Sequence, residues 1–428
     1  MKTKEQHQPK ITMKILHTAD WHLGNVFHGH NRIYEHQHFL SWLLDTIRQE
    51  QPDALLIAGD IYDSPNPSAI AEEMFYNFLI DASEAVRGIQ IVAVAGNHDS
   101  VGRIDAPAQL LKRHNIYVRG AMPRNAETGK IELDELILPL SSRTSPEAEV
   151  VCLAVPFLRS SDYEIGLNST EGLRKIYEQL LHKVKKSEYR GLPIISVAHF
   201  YAAGAEICES EHSERLVIGG QDCVDANVVG HGVCYTALGH LHKAQSVKSA
   251  AAEMQYAGSP IPLSFSERGY QHGVTMVNID AEGNTQSQRL RYTPPRPLTT
   301  LPPRGSARPL EILELINKLP KRAKGETDDT WPYVELKVEE SQPEPTLPYQ
   351  ITAALEDKAV HFCRIVRVYQ QDLTSTPSPV ENLNTLQSLS PIEMADLVYQ
   401  KQYKTTLPDE LKQRLLIAEE AAHSENYQ

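Results

Sequence analysis

The chain is poor in cysteine, with five among 428 residues, widely spaced and without a Cys-x-x-Cys pair. Such spacing excludes a disulfide-stapled small fold and a thiolate zinc ribbon, and a reducing cytoplasm is the expected compartment. No apolar run approaches the roughly 20 residues that a membrane-spanning helix requires. Residues 1–12 are polar and charged and lack the apolar centre of a signal peptide, so they read as a disordered leader, with Met13 a second candidate start. Positive charge is also in deficit: 42 Lys and Arg against 55 Asp and Glu leave −13 at pH 7. The deficit is spread along the chain, −8 up to Tyr292 and −5 beyond it, so no basic domain hides in the average. A protein that grips nucleic acid by a broad basic surface is thereby disfavoured, whereas one that meets phosphate through bound cations is not.

What is present is a folded, multi-domain composition, 41% hydrophobic and 23% charged. Between Met13 and Tyr292, short apolar runs at 14–18, 54–58, 91–95, 150–155, 194–198 and 235–238 show no polar alternation, which suits strands buried on both faces. Helical spacing of apolar residues appears at 33–49 and 68–86. This alternation predicts an α/β domain. Later strands at 254–257 and 273–279 come without helices, so a pair of mixed sheets is expected over one all-parallel sheet. At 293–309 six prolines, three arginines and no acid predict a stiff linker. A helix (310–319), a strand (333–338), a helix (350–357) and a strand (359–369) come next, a small α/β unit over 310–373. Beyond the breakers at 374–379, residues 380–428 predict two short amphipathic helices, the first opened by Ser390-Pro391-Ile392-Glu393.

The chemistry lies where the strands end. The first runs into Asp20-Trp21-His22, the second into Gly59-Asp60, the third into Gly96-Asn97-His98-Asp99, the fifth into His199 and the sixth into Gly239-His240-Leu241-His242. Carboxyl ends of strands are the ligand-binding edge of open α/β sheets, and here five of them deliver Asp, Asn or His. Each fragment alone reads as ordinary cap or turn chemistry; the ordered set does not. Two divalent cations roughly 3.5–4 Å apart need a bridging carboxylate and terminal oxygen or nitrogen ligands. A carboxylate, amide and imidazole set suits Mn, Fe or Zn better than Ca. Such a pair clamps a phosphoryl group, and an unligated histidine beside it is suited to protonating the leaving oxygen.

The ordered set D-x-H, G-D, G-N-H-D, H and G-H-x-H resembles the calcineurin-like metallophosphoesterase superfamily. More narrowly, Leu16-His17-Thr18-Ala19-Asp20-Trp21-His22-Leu23-Gly24, Ala95-Gly96-Asn97-His98-Asp99-Ser100, Ala237-Leu238-Gly239-His240 and Gly258-Ser259-Pro260-Ile261-Pro262-Leu263-Ser264-Phe265 are similar to the nuclease subunits of bacterial complexes whose second subunit is an SMC-like ATPase. The resemblance implies an α/β (α+β) fold, a four-layer αββα sandwich over 13–292, with a small α/β domain capping DNA. It implies two divalent metals, Mn²⁺ foremost. One would be held by Asp20, His22, Asp60 and His242, the other by Asp60, Asn97, His199 and His240, with Asp60 bridging. His98 would be the unligated catalytic histidine. Asp99 would serve the turn. Archaeal and eukaryotic relatives carry a histidine where this chain has Asp63, which instead matches the wider superfamily's aspartate that orients the catalytic histidine. From the residues alone the C-terminal helices pack on their own core or dock elsewhere; the resemblance implies docking on the coiled coil of the ATPase. It also implies a homodimer through the nuclease domain inside a heterotetramer. The function implied is a DNA nuclease, exonucleolytic on double strands and endonucleolytic on single strands and hairpins. A nuclease carrying −13 is expected to leave much of the electrostatic hold on DNA to its partner. The runner-up is a small-substrate phosphodiesterase or phosphatase on the same centre, and an inactive DNA-end scaffold ranks third. Arg296, Arg304 and Arg308 are expected to be solvated linker residues.

Overall fold

The computed structural model describes residues 11–125, 127–206, 223–249, 252–340 and 344–369, with short pieces at 395–396, 399–400, 407–408 and 411–414. The expected leader over 1–12 therefore lies almost wholly outside the described residues, and the helix pair over 380–428 lies outside them except for those pieces. The chain forms two units, residues 1–368 and 369–428, and both large sheets belong to the first.

The strands and helices arise in chain order as β1 (Ile11–Thr18), α1 (Ile33–Glu50), β2 (Ala54–Ala58), α2 (Ala69–Ala85), β3 (Gln90–Val94) and β4 (Ile116–Arg119). Then come β5 (Ile137–Leu140), β6 (Val150–Val155), α3 (Ser169–Lys186), β7 (Ile194–His199), β8 (Val233–Gly239), β9 (Gln245–Val247) and β10 (Glu253–Tyr256). The antiparallel pair β11 (Gly273–Asp280) and β12 (Thr285–Arg291) closes the domain. One six-stranded sheet has the order β12-β11-β1-β2-β3-β4, the other β9-β10-β8-β7-β6-β5. Each has a block of four parallel strands; the antiparallel β11 and β12 flank one edge of the first block, and β9 and β5 lie at the two edges of the second.

The two-residue period of a strand sorts its side chains into two cores. Leu16, Leu55, Ile57, Ile91 and Ala93 face α1 and α2. Their neighbours Ile15, Leu56, Ala58, Val92 and Val94 meet Cys152, Ala154, Ile195, Val197 and Ala237 between the sheets. Val151, Leu153 and Val155 face α3 through Leu173, Tyr177 and Leu180. Three cores thus separate four layers, αββα. This is why the strand sequences show no polar alternation. Helix α3 begins at Asn168, whose side chain accepts from Glu171 N while Glu171 returns a bond to Asn168 N.

The stretch expected to be a linker differs from expectation. It contains β13 (Leu298–Leu301), which pairs in parallel with β14 (Tyr333–Glu340) of a three-stranded sheet β13-β14-β15, β15 being His361–Tyr369. Helices α4 (Pro309–Asn317) and α5 (Leu347–Leu355) supply Ile312, Ile316, Ile351 and Leu355 to its core. A four-residue strand between prolines leaves little periodicity to read, which is why composition alone suggested a linker. Arg296 is likewise not solvated: it is 6% exposed and donates to Tyr333 Oη (3.1 Å) and the Asp329 carbonyl (2.9 Å). Tyr333 donates to Glu35 Oε2 (2.7 Å), and Glu35 also pairs with Arg32. This buried network ties the small sheet to the start of α1.

His17 joins the two sheets. Its Nε2–H donates to the Leu238 carbonyl (3.2 Å), which leaves Nδ1 to accept from Tyr235 Oη–H (3.0 Å). Only the neutral ring serves both bonds, and burial, with Arg289 nearby, pulls its pKa down to about 3. The unfolded chain then binds a proton near pH 6.5 that the folded chain refuses, so this histidine contributes stability above pH 6.5 that is lost as pH falls. Urea midpoints measured between pH 7 and pH 4 should show His17→Leu less stable at pH 7. Its stability should also fall more gently, by about 1.4 kcal/mol per pH unit for the one missing proton.

Candidate metal centre

The carboxyl ends of strands from both sheets meet at one place. The β1, β2 and β3 ends bring Asp20, Asp60 and Asn97 from the first sheet, while β7 and β8 bring His199, His240 and His242 from the second. The loops run side by side, Asp20 N donating to the Gly59 carbonyl (3.0 Å) and His22 N to the Asp60 carbonyl (3.0 Å). Trp21 turns the other way, edge-on to Phe39, Phe75 and Phe78, and its Nε1 donates to Thr18 Oγ1 (2.8 Å). That anchor aims the residues on either side of it into the centre.

The aim costs backbone strain. Asp20, His22, Asp60 and His240 all have positive φ (54°, 47°, 47° and 107°), a conformation non-glycine residues avoid. The glycines beside them provide space. A Cβ on Gly59 would lie 2.3 Å from His199 Nδ1, one on Gly96 2.1 Å from Asp60 Oδ1, and one on Gly239 1.9 Å from the Ala58 carbonyl oxygen. Gly-Asp, Gly-Asn and Gly-His therefore recur for a steric reason.

Two groups of ligand-type atoms result. Asp60, His199 and His240 lie within 4.8 Å of one another, as do His22, Asp60 and His98, with Asp60 common to both. Asn97 Oδ1 receives His199 Nε2 (2.9 Å) and His240 Nδ1 (3.0 Å), so it joins the first group. His242 stacks edge-on against His22 with ring centroids 5.2 Å apart, on the side of the second. Asp20 Oδ1 accepts from His240 N (2.8 Å) and lies 4.0 Å from His199 Nδ1. The expected residues are all gathered here. His98 comes as close to Asp60 and His22 as a ligand would, and it is more open to solvent than either.

The surroundings orient these groups. Asp99 accepts from Gly96 N (2.8 Å), Ile61 N (3.1 Å) and Tyr62 N (2.9 Å), pinning the Asp60 and Asn97 loops together. Asp63 acts differently from expectation. Its backbone carbonyl, rather than its carboxylate, holds His98 Nδ1 (2.8 Å). The carboxylate is taken by Asn25 Nδ2 (2.9 Å) and lies 3.3 Å from His22 Nδ1. A main-chain contact of this kind leaves no trace in residue type. Sequence reading also missed Glu267, a buried carboxylate 3.1 Å from His242 Nδ1 that accepts from Leu263 N (2.8 Å). The only signal was a lone glutamate after the Gly258–Phe265 motif.

The donor set fits divalent cations. Asp20 Oδ2 and His22 Nε2 are buried and have no hydrogen-bond partner, a cost that a ligated cation removes. Burial pushes Asp20 up to about 7. Asp60 is held well below the ordinary carboxylate range because, against its burial, the His199 charge stands beside it. His199 in turn is pulled down by burial but raised further by Asp60, to about 9. Two buried carboxylates thus call for positive charge, and a proton on His199 supplies it until a cation takes that place.

Comparison with known proteins agrees. The calcineurin-like phosphoesterase family profile matches residues 13–244, and a profile described as the type 5 capsule protein repressor C-terminal domain matches residues 294–403. The SbcD subunit of the Rhodobacter capsulatus nuclease SbcCD is 36% identical over 382 residues, 87% of this chain and 91% of that one. Its Escherichia coli K12 counterpart is 35% identical over 62% of this chain and 66% of its own length, and that of Bacillus subtilis 32% over 67% and 71%. The chain belongs to the calcineurin-like phosphoesterases, whose fold carries a dinuclear divalent metal site. Within them it belongs to the SbcD nuclease subunits, and it is a phosphodiester-hydrolysing nuclease. The small-ester alternative is not favoured.

If the glycines hold the centre open, Gly96→Ala should lose bound metal and about 1–3 kcal/mol of stability, with a lower melting temperature. Gly102→Ala, where an added Cβ meets nothing within 4 Å, should keep its metal. Elemental analysis and calorimetry of the two variants would show it.

Proposed function

We propose that the chain is the nuclease subunit of a complex with an SbcC-type SMC-like ATPase, two copies of each, with the nuclease domains forming a homodimer. It cuts double-stranded DNA from its ends and single strands and hairpins internally, in DNA end and hairpin processing, recombination and repair. Similarity to SbcD subunits over 87% of the chain supports this reading. The observation that carries it is the convergence of seven Asp, Asn and His side chains from both sheets on the Asp60 carboxylate. One cation, Mn²⁺ in this proposal, is held by Asp20, His22, Asp60 and His242, the other by Asp60, Asn97, His199 and His240. When bound, such a pair lowers the pKa of water and neutralises phosphoryl charge.

The chain's own part is positional. Asp60 Oδ1 accepts from His98 N (2.9 Å) and Asp63 O holds His98 Nδ1–H, so Nε2 is the nitrogen left to carry a proton toward the departing ribose oxygen. Glu267 accepts a hydrogen bond from His242 Nδ1–H and thereby fixes which ring nitrogen faces a cation. Asp99 keeps the loops in register, and Asp63 keeps His98 pointed. The small α/β domain caps DNA. Its tether through Glu35, Arg296 and Tyr333 holds it to the helix that follows the first metal loop. The helices over 380–428 dock on the coiled coil of the ATPase, and the complex works in the cytoplasm. None of the helices described is long and apolar enough to cross a membrane, and the described cysteines are free thiols.

His98→Ala should lower DNA cleavage by 10²-fold or more while keeping two metals per chain by elemental analysis. Metal loss in that variant would move His98 among the ligands. A chain truncated after Pro379 should fail to co-purify with the ATPase yet retain basal nuclease activity on a single-stranded oligonucleotide.

A further inference from the structure

The open edge of the sandwich carries a cleft that the metal centre does not use. A cavity of about 500 Å³, within the usual range of small-ligand sites, is lined among others by Lys243, Gln245, Tyr270, Gln271, Thr275 and Arg289. A second, of about 340 Å³, shares Tyr270 and Gln271 with it and adds Arg268 and Arg291. The two are therefore one groove. Its walls come from the edge strands β9 and β10 of one sheet and β11 and β12 of the other.

Strand register places this groove at the catalytic end. Thr275 pairs with His17 near the end of β1, and Arg289 pairs with Thr275. Gln245 pairs with Tyr256, itself level with Leu238 at the end of β8. The groove thus lies one to two strands from β1 and β8, which carry Asp20 and His240, a distance of about 5–10 Å. Lys243 directly follows His242. A nucleic-acid strand leaving the centre would reach the groove within a nucleotide or two.

Charge selects the occupant. The whole chain carries −13, yet among the described residues neither cavity lining contains an aspartate or a glutamate. Arg289 is held by neutral partners, Thr275 Oγ1 (3.3 Å) and the Gln271 carbonyl (2.9 Å), so its charge stays uncompensated by them. Arg268 and Arg291 are exposed. Two carboxylates at the margins are already engaged, Glu206 by Lys243 and Glu253 by Thr285 and Ser287. Arginines on one wall with amide side chains and a tyrosine between them match what a single strand offers: phosphates to the cations, a base to the ring.

Building on the nuclease reading, we propose that this groove, bounded by Lys243, Arg268, Tyr270, Arg289 and Arg291, is a binding track for the single-stranded segment of the nucleic acid adjoining the scissile phosphate. It is a site separate from the metal ligands.

The test uses the full chain and a fluorescent single-stranded oligonucleotide, with binding followed by anisotropy in EDTA across a salt series. Cleavage is then measured with Mn²⁺. Arg268→Glu with Arg291→Glu, both exposed, should weaken binding on the order of tenfold or more at 0.1 M salt. The slope of log affinity against log salt should flatten by about 1.4, two phosphate contacts at ~0.7 each. Tyr270→Ala should weaken binding without changing the slope. Melting temperature and metal content confirm that each variant is folded. If the folded double variant binds with wild-type affinity and slope, the track is wrong, although cleavage by the wild type would leave the nuclease reading intact. If the wild type binds through these arginines but does not cut, the nuclease reading falls and the track stands. Loss of ATPase co-elution with unchanged oligonucleotide binding would make the groove a protein-docking face and overturn the proposal.

Discussion

Everything at the catalytic end is arranged around one buried carboxylate. Asp60 stands at the end of a central strand, 2% exposed, and receives the His98 backbone N–H while His22, His199 and His98 press on it from both sheets. A buried carboxylate without positive charge is expensive, so its neighbours must supply a proton or make room for cations. That need accounts for the glycines whose Cβ atoms would collide with it or its partners. It also accounts for four ligand-type residues held at positive φ. Strain of about 1–3 kcal/mol at each such position persists only in a scaffold that over-determines it. The three cores provide that scaffold.

The same logic extends outward in layers. Trp21, locked among three phenylalanines, lets one short loop deliver Asp20 and His22 to the centre while burying the residue between them. Asp99 spends its carboxylate on three backbone N–H groups, holding two loops in register. Farther out, Arg32, Glu35, Arg296 and Tyr333 join the small sheet to the sandwich through charged groups removed from water. A buried network of this sort adds little net stability but admits few alternative geometries. The small domain is thereby fixed to the body that carries the centre.

Electrostatics divides the surface unevenly. A net charge of −13 suggested that the chain grips nucleic acid weakly. The fold collects Arg268, Arg289 and Arg291 around one groove at the catalytic end, with Lys243 beside them paired to Glu206, and there local field matters more than the total.

The strand runs at 54–58 and 150–155 were legible to the residue, because burial on both faces leaves an unbroken apolar signature. The small domain's helices and two longer strands were also legible; its four-residue strand at Leu298–Leu301 was not, since so short a segment shows no period. The ligand types were legible because each follows a strand and three of them follow a glycine. What sequence determined, then, was the inventory: which residues end the strands, and that their side chains are of the types that can ligate a cation. Tertiary structure alone decided the partnerships. The His98 contact runs to a backbone carbonyl, Glu267 arrives from 25 residues beyond His242, and Arg296 turns inward to Glu35 across 261 residues of chain. Contacts to main chain carry no residue-type signal, and long-range pairs carry none in local spacing. Those are the relations that packing, not pattern, creates.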